Sequence, residues 1–193
     1  MAGERAGVRG AVVVEDRRTE RFIRHLLDEL GFEKRNFAFK TAPTGAGAAE
    51  AWVLAQYPAE VRELRSRGPQ NLCLIAVRDG DAAGVARRKA ELDAALQQAG
   101  LATRGAAERI ATPVPTWSIE TWLLALLGEP GVGEAKKRSA PNPLAWKLVY
   151  EHAHGRDERD AFRQAAAAWR RVAATSTLPS LADGAIEFGR IEP

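Results

Sequence analysis

One cysteine, one methionine, two tyrosines and three histidines are all that this 193-residue chain holds of those residue types. The single Cys73 excludes an intramolecular disulfide, and with three histidines the chain has too few soft ligands to suggest a zinc site. No uninterrupted apolar run reaches the ~20 residues that a membrane-spanning helix needs. Residues 1–10 carry charges and glycines instead of the apolar stretch of a secretion signal. No membrane association is expected, and the cytoplasm is the expected compartment. Charge of one sign is also scarce: 28 Lys and Arg against 25 Asp and Glu leave a net +3. That balance is compatible with a polyanionic partner without requiring one.

What is present describes a globular chain. Hydrophobic residues make up 46% and charged residues 27%, enough for a buried core without covalent staples. The β-branched run at residues 11–14 lacks polar alternation, as expected of a strand covered on both faces. Phe22, Ile23, Leu26, Leu27 and Leu30 then recur at helical spacing over residues 19–30, and Gly31 stands where a helix C-cap belongs. A short second strand is expected at 36–40 and a helix at 48–67, which Pro58 should kink or split. Leu72–Val77 reads as a second buried strand, followed by a helix over 82–99. A strand near 109–112 and an apolar helix over 119–127 complete the alternation. This order predicts an α/β fold, an open and mostly parallel sheet flanked by helices. Residues 1–127 are expected to form that domain. Residues 128–193 are expected to add a basic loop and a C-terminal helical extension packed on it.

In open parallel sheets, ligands bind beyond the carboxyl ends of the strands. The first strand runs into Glu15-Asp16, and the third runs through Arg78 into Asp79-Gly80-Asp81. Clustered carboxylates repel unless a cation or a proton compensates them. In an extended segment Asp79 and Asp81 would face one side, and Gly80 would permit close approach of backbone to a ligand. Hard oxygen ligands of this kind suit Mg²⁺, with Mn²⁺ as an alternative. Each acid has a plainer reading: Asp81 could cap the helix after it, and Glu15 or Asp16 the helix near Thr19.

The run Val12-Val13-Val14-Glu15, with Leu74-Ile75-Ala76-Val77-Arg78-Asp79-Gly80-Asp81, resembles a TOPRIM domain, the Rossmann-like fold of topoisomerases, bacterial primases and OLD-family nucleases. The family's pattern is a Glu after the first strand and an Asp-x-Asp after the third. One position departs: Asp16 stands where the family usually has glycine. The segment Pro115-Thr116-Trp117-Ser118-Ile119-Glu120-Thr121-Trp122-Leu123 resembles small stand-alone bacterial TOPRIM-like proteins related to OLD nucleases, and that resemblance implies Glu120 as a further metal ligand. An acid in the first turn of a helix is favoured electrostatically in any case.

On this reading Glu15, Asp79, Asp81 and Glu120 form the catalytic and metal-binding set, with Glu15 as general acid/base or ligand of a second metal. Arg17, Arg18, Lys136, Lys137, Arg138 and Lys147 are candidate contacts to nucleic acid. Arg87, Arg88 and Lys89 read as phosphate contacts or as a solvated helix face. The expected activity is that of a Mg²⁺-dependent nuclease or related phosphoryl-transfer enzyme, in DNA processing or phage defence. The resemblance further implies an ATPase partner. The alternative is a non-catalytic regulatory subunit of an ATPase complex that binds nucleic acid or a nucleotide. A receiver-like fold would need a lone Asp after the third strand and a later Lys, and only the early pair Glu15-Asp16 suits it. The loop Thr44-Gly45-Ala46-Gly47 lacks the ending of a P-loop.

Overall fold

The computed structural model describes residues 7–43, 49–68, 71–134 and 158–192. Strand β1 (Arg9–Val14) is followed by helix α1 (Arg17–Glu29), then by β2 (Phe37–Thr41) and α2 (Ala49–Ser66). Next come β3 (Leu72–Val77), α3 (Gly84–Gln98), the two-residue β4 (Ile110–Ala111) and α4 (Ile119–Leu126). Helices α5 (Glu158–Val172) and α6 (Pro179–Gly189) close the chain. The four strands form one parallel sheet in the order β2-β1-β3-β4.

Both sheet faces are covered, which is why the strands show no polar alternation. Val12, Val14, Cys73, Ile75 and Val77 point to the side of α1, α4, α5 and α6. Val13, Leu74 and Ala76 point to the opposite side, where α2 and α3 supply Val53, Tyr57, Val61, Leu92 and Leu96. Successive side chains of a strand face opposite ways, so one apolar run feeds two cores. Burial pushes the Cys73 thiol up to about 12, so it serves as a small core residue. Helix α5 lies against α1 and α4, with Trp169 between Phe22, Trp122 and Phe188 at ring separations of 5.3–6.3 Å. Trp122 is fully buried and donates its indole N–H to Ser180 Oγ at 2.8 Å. Gly184 is required beside it, because a Cβ there would overlap the Trp122 ring.

The expected strand and helix bounds hold to within a few residues, and of the two outcomes expected at Pro58, a kink or a split, the split does not occur. Pro58 does not divide its helix: α2 continues as a single element, with Pro58 buried beside Val53, Tyr57 and Val61. Packing against the sheet outweighs the hydrogen bond that proline removes.

The last helix is tied to the sheet by charge. Glu187 on α6 is buried and accepts from Lys89 Nζ at 2.8 Å, from Arg104 and from the Thr112 backbone N–H at 2.8 Å. Burial alone would raise its pKa. The bonds from Arg104, Lys89 and Thr112 overcome that and hold it down to about 2. Among the described residues no helix is long and apolar enough to cross a membrane.

Candidate functional site

The strand order places a topological switch point between β1 and β3, because the chain leaves β1 toward β2 and later returns on the other side at β3. Crevices at such points, beyond the carboxyl ends, are where open α/β sheets bind ligands. Register sharpens the placement. Val14 pairs with Thr41 on one side and with Val77 on the other. Glu15 and Arg78 therefore leave the sheet at one level, with Asp79 a residue beyond.

The local conformation of each acid differs from the simplest sequence reading. Asp16 is the N-cap of α1: its Oδ1 accepts from the backbone N–H of Arg18 at 2.6 Å and of Thr19 at 2.9 Å. The side chain where the resembled family has glycine is thus accommodated as a cap. Asp81 is not a cap; α3 begins after Ala83, with no side-chain cap. Nor is the Asp79–Asp81 segment extended, since Asp81 has φ +43 and its N–H donates to the Trp117 carbonyl at 3.1 Å. Trp117 opposite it also has positive φ, +64, so two left-handed, non-glycine residues face each other here. Gly80 serves the same junction. Its N–H donates to the Pro115 carbonyl at 2.8 Å, and a Cβ would stand 3.0 Å from that oxygen. The close approach that needs glycine is therefore to the chain's own β4–α4 segment, and it holds Asp79, Asp81 and Glu120 in fixed relation.

Beneath the acids lie two buried guanidinium groups. Arg78 is fully buried and reaches Glu15 at 3.5 Å, Glu50 at 3.0 Å and Glu91 at 2.9 Å. Arg88, also buried, bonds to Glu50, to Glu91 at 3.0 Å, to Asp81 Oδ2 at 3.2 Å and to the Asp79 carbonyl at 3.1 Å. The reading of Arg88 as a phosphate contact or solvated helix face is corrected: it is consumed inside the site. A signal was available, because Arg88, Leu92 and Leu96 recur at four-residue spacing and form the buried stripe of α3. Glu50 and Glu91, which sequence reasoning did not single out, complete this layer. Burial would raise the Glu91 pKa, but hydrogen bonds from Arg78 and Arg88 lower it.

Above that layer the balance reverses. The pKa of Asp79 lies well above the usual carboxylate range, first through desolvation and then through the charges of Asp16, Glu15, Glu120 and Asp81. Glu15 is raised to about 7 by desolvation, which the nearby Arg78 offsets only in part, with Asp81 and Glu50 pushing it further up. The charges of the other three acids named from the sequence, Glu15, Asp81 and Glu120, are therefore all felt at Asp79. The four acids are not a closed ligand set: among the described residues no group of three or more His, Cys, Asp or Glu is arranged to hold a metal ion. The reason is visible in their partners, with Asp81 turned to Arg88 and Glu120 facing Arg18 at 3.5 Å.

The donor set nevertheless fits a hard cation. Asp79 makes no hydrogen bond or ion pair through its carboxylate among the described residues. Among the described residues Ser118 Oγ is buried without a hydrogen-bond partner, and Glu15 Oε1 is buried with no hydrogen bond, its one close group being Arg78 Nε at 3.5 Å. Unpaired buried polar atoms are rare in folded proteins and call for a bound ion, water or ligand.

The basic candidates divide. Arg17 and Arg18 are exposed at the start of α1, with Arg18 already near Glu120 and Glu158. Lys136, Lys137, Arg138 and Lys147 lie outside the described residues, as do loop 44–47, Tyr150, His152 and His154. Tyr57 is fully buried and its pKa is raised by desolvation, so it is no candidate nucleophile. Clefts formed by the described residues lie along α1 and over the β2 edge. Comparison with family models, with curated proteins and with solved structures finds no match for this chain.

Proposed function

We propose that the acidic edge at the β1–β3 switch point binds Mg²⁺ and hydrolyses phosphodiester bonds in nucleic acid, in the manner of the TOPRIM-like nucleases that the sequence resembles. The observation that carries this reading is the Asp79 carboxylate: it is desolvated, it feels the charges of Asp16, Glu15, Glu120 and Asp81, and among the described residues it has no cationic partner. Asp79, Asp81 and Glu120 are the residues to hold the ion. A bound Mg²⁺ supplies charge to a phosphoryl oxygen and makes a coordinated water easier to deprotonate. Glu15 holds or releases the proton at Oε1, as general acid/base, or contributes to a second ion. Arg78 cannot touch substrate, because it is fully buried. It positions Glu15 and keeps the acids from driving one another apart. DNA processing or phage defence, with an ATPase partner, belongs to the same proposal and rests on the resemblance alone.

A second reading has its own observation. Arg78 and Arg88 already compensate Glu15 and Asp81 in part, as suits a regulatory subunit that binds nucleic acid or nucleotide without cleaving it. The discriminating experiment incubates the full chain with single-stranded DNA, duplex DNA and RNA in Mg²⁺, Mn²⁺ or EDTA, beside Asp79→Asn. Metal-dependent cleavage that disappears in the variant supports the nuclease. Binding without cleavage, equal in both proteins, supports the regulatory subunit.

A further inference from the structure

Helix α1 begins at the acidic edge and runs down the outside of the sheet. Its buried side is Thr19, Phe22, Ile23, Leu26 and Leu27. The opposite side carries Arg17, Arg18, Arg21, Arg24 and His25, which fall on one stripe at helical spacing. The helix is ~20 Å long at 1.5 Å per residue, enough to lie beside several successive phosphates of a chain.

Two clefts open along this stripe and share Arg21. The upper cleft, about 570 Å³, is formed with Phe39, Thr41 and Pro43 at the carboxyl end of β2 and includes Arg17. The lower one, about 720 Å³, lies between α1 and α5 and is lined by Arg21, Arg24, His25, Lys34, Arg35 and Arg159. Glu158 is its acidic wall, and Phe162 is its apolar surface. The guanidinium carbon of Arg24 lies over Phe39, 3.6 Å from the ring centre. A guanidinium on an aromatic ring offers both a phosphate donor and a stacking surface.

The cations here are held loosely. Arg21 pairs with Glu158, Arg24 with Glu20, Lys34 with Asp28 and Arg35 with Glu33, and these basic side chains are 39–81% exposed. Exposed pairs of this kind contribute little to stability and exchange readily for a phosphate. Arg17 and Arg159 have no hydrogen bond or ion pair among the described residues. The local field is felt by His25, whose pKa is lowered by burial and then by Lys34, with Asp28 opposing and Arg159 and Arg163 adding.

We propose that these joined clefts are a binding track for single-stranded nucleic acid, delivering the strand along α1 to the acidic edge. The ligand class is taken from the function proposed above; the location is new. The cations follow one helix face in a single row, which matches one phosphate backbone, and Phe39 and Phe162 in the two clefts offer apolar surfaces to unstacked bases.

The test measures binding of labelled single-stranded DNA, single-stranded RNA and duplex DNA by fluorescence anisotropy, on the full chain in EDTA. The variants are Arg21→Glu and the double variant Lys34→Glu with Arg35→Glu. Arg67→Glu, outside both clefts, is the control for net charge, and thermal melting checks that each protein is folded. The cleft variants should weaken single-strand binding by about tenfold or more and flatten its salt dependence by about one phosphate contact per charge reversed, while the control stays near wild type. The DNA and RNA arms identify which strand is preferred. The track is overturned if wild type binds no single strand, if duplex binds more tightly, or if Arg67→Glu costs as much as the cleft variants. Because no metal is present, failure of the hydrolytic reading leaves this measurement intact. Conversely, Asp79-dependent cleavage that is indifferent to the cleft variants would retire the track alone.

Discussion

Glu15→Gln should make the protein more stable at alkaline pH and leave it almost unchanged at mildly acidic pH. The wild-type carboxyl titrates at about 7 in the folded chain against 4.5 for the free group. The folded state thus binds this proton more tightly than the unfolded state does, and protonation favours folding. Stability from this group is greatest below 4.5 and falls as pH rises between 4.5 and 7, where ionisation leaves a charge that burial opposes. An interval of about 2.5 pH units corresponds to about 3 kcal/mol, reached near pH 7 and constant above it. Glutamine mimics the protonated acid in shape and charge. The variant should therefore exceed wild type by about 3 kcal/mol at about pH 8, but by less than about 1 kcal/mol at about pH 5. For a chain of this length that is a rise in Tm of roughly 6–12 °C. Urea denaturation in EDTA at the two pH values measures it directly. If Glu15→Gln is instead the less stable protein at pH 8, attraction to Arg78 outweighs desolvation and the reasoning about the acid edge is wrong.

Asp79→Asn should raise Tm in EDTA, because it removes a carboxylate that four neighbouring acids oppose, and it should abolish any stabilisation that Mg²⁺ gives wild type; differential scanning fluorimetry across a Mg²⁺ series reads both effects. Arg78→Met should cost about 3–5 kcal/mol in urea denaturation, since it leaves the largely buried Glu15 without its cation, whereas Glu50 and Glu91 keep Arg88. Glu187→Gln should behave oppositely to Glu15→Gln. Its folded pKa of about 2 lies below 4.5, so the carboxylate stabilises above 4.5 by about 3 kcal/mol and loses that contribution as pH falls toward 2. Wild type and variant melting curves should then differ at neutral pH and converge in acid. Gly80→Val should lower stability and Mg²⁺ affinity together, as its side chain displaces the Pro115–Trp117 backbone; unchanged Mg²⁺ binding in a destabilised variant would separate the junction from the site.

The sheet and its acidic edge were legible because their cause is local. An apolar run without alternation means a strand covered on both faces, and Val14 and Val77 each hand over directly to polar residues at the carboxyl end. The arginine layer was not legible to the same degree. Arg78 meets Glu15 after β1, Glu50 on α2 and Glu91 on α3, and no local pattern encodes that pairing. Asp81 shows the other limit: spacing of two predicts a shared face only if the backbone is extended, and the bridge to Trp117 forces a left-handed turn there. At Pro58 only the split is excluded, since α2 is continuous through it and packing offsets proline's local cost.

The Glu187 anchor has a consequence for how copies of this chain meet. Strand β4 is a sheet edge, and an open edge invites another strand to add to it. Here the positions a visitor would need are already taken. The Thr112 N–H is given to Glu187, and the Ile110 carbonyl accepts from both Arg104 and Arg190 at 3.0 Å. The side chains of Arg104, Glu187 and Arg190 thus act as a terminating strand, and they close one flank of the sheet against cross-β association. Strand β2 has no neighbour on its outer side among the described residues. Growth of the sheet by strand addition is thereby restricted to a single direction, away from α6.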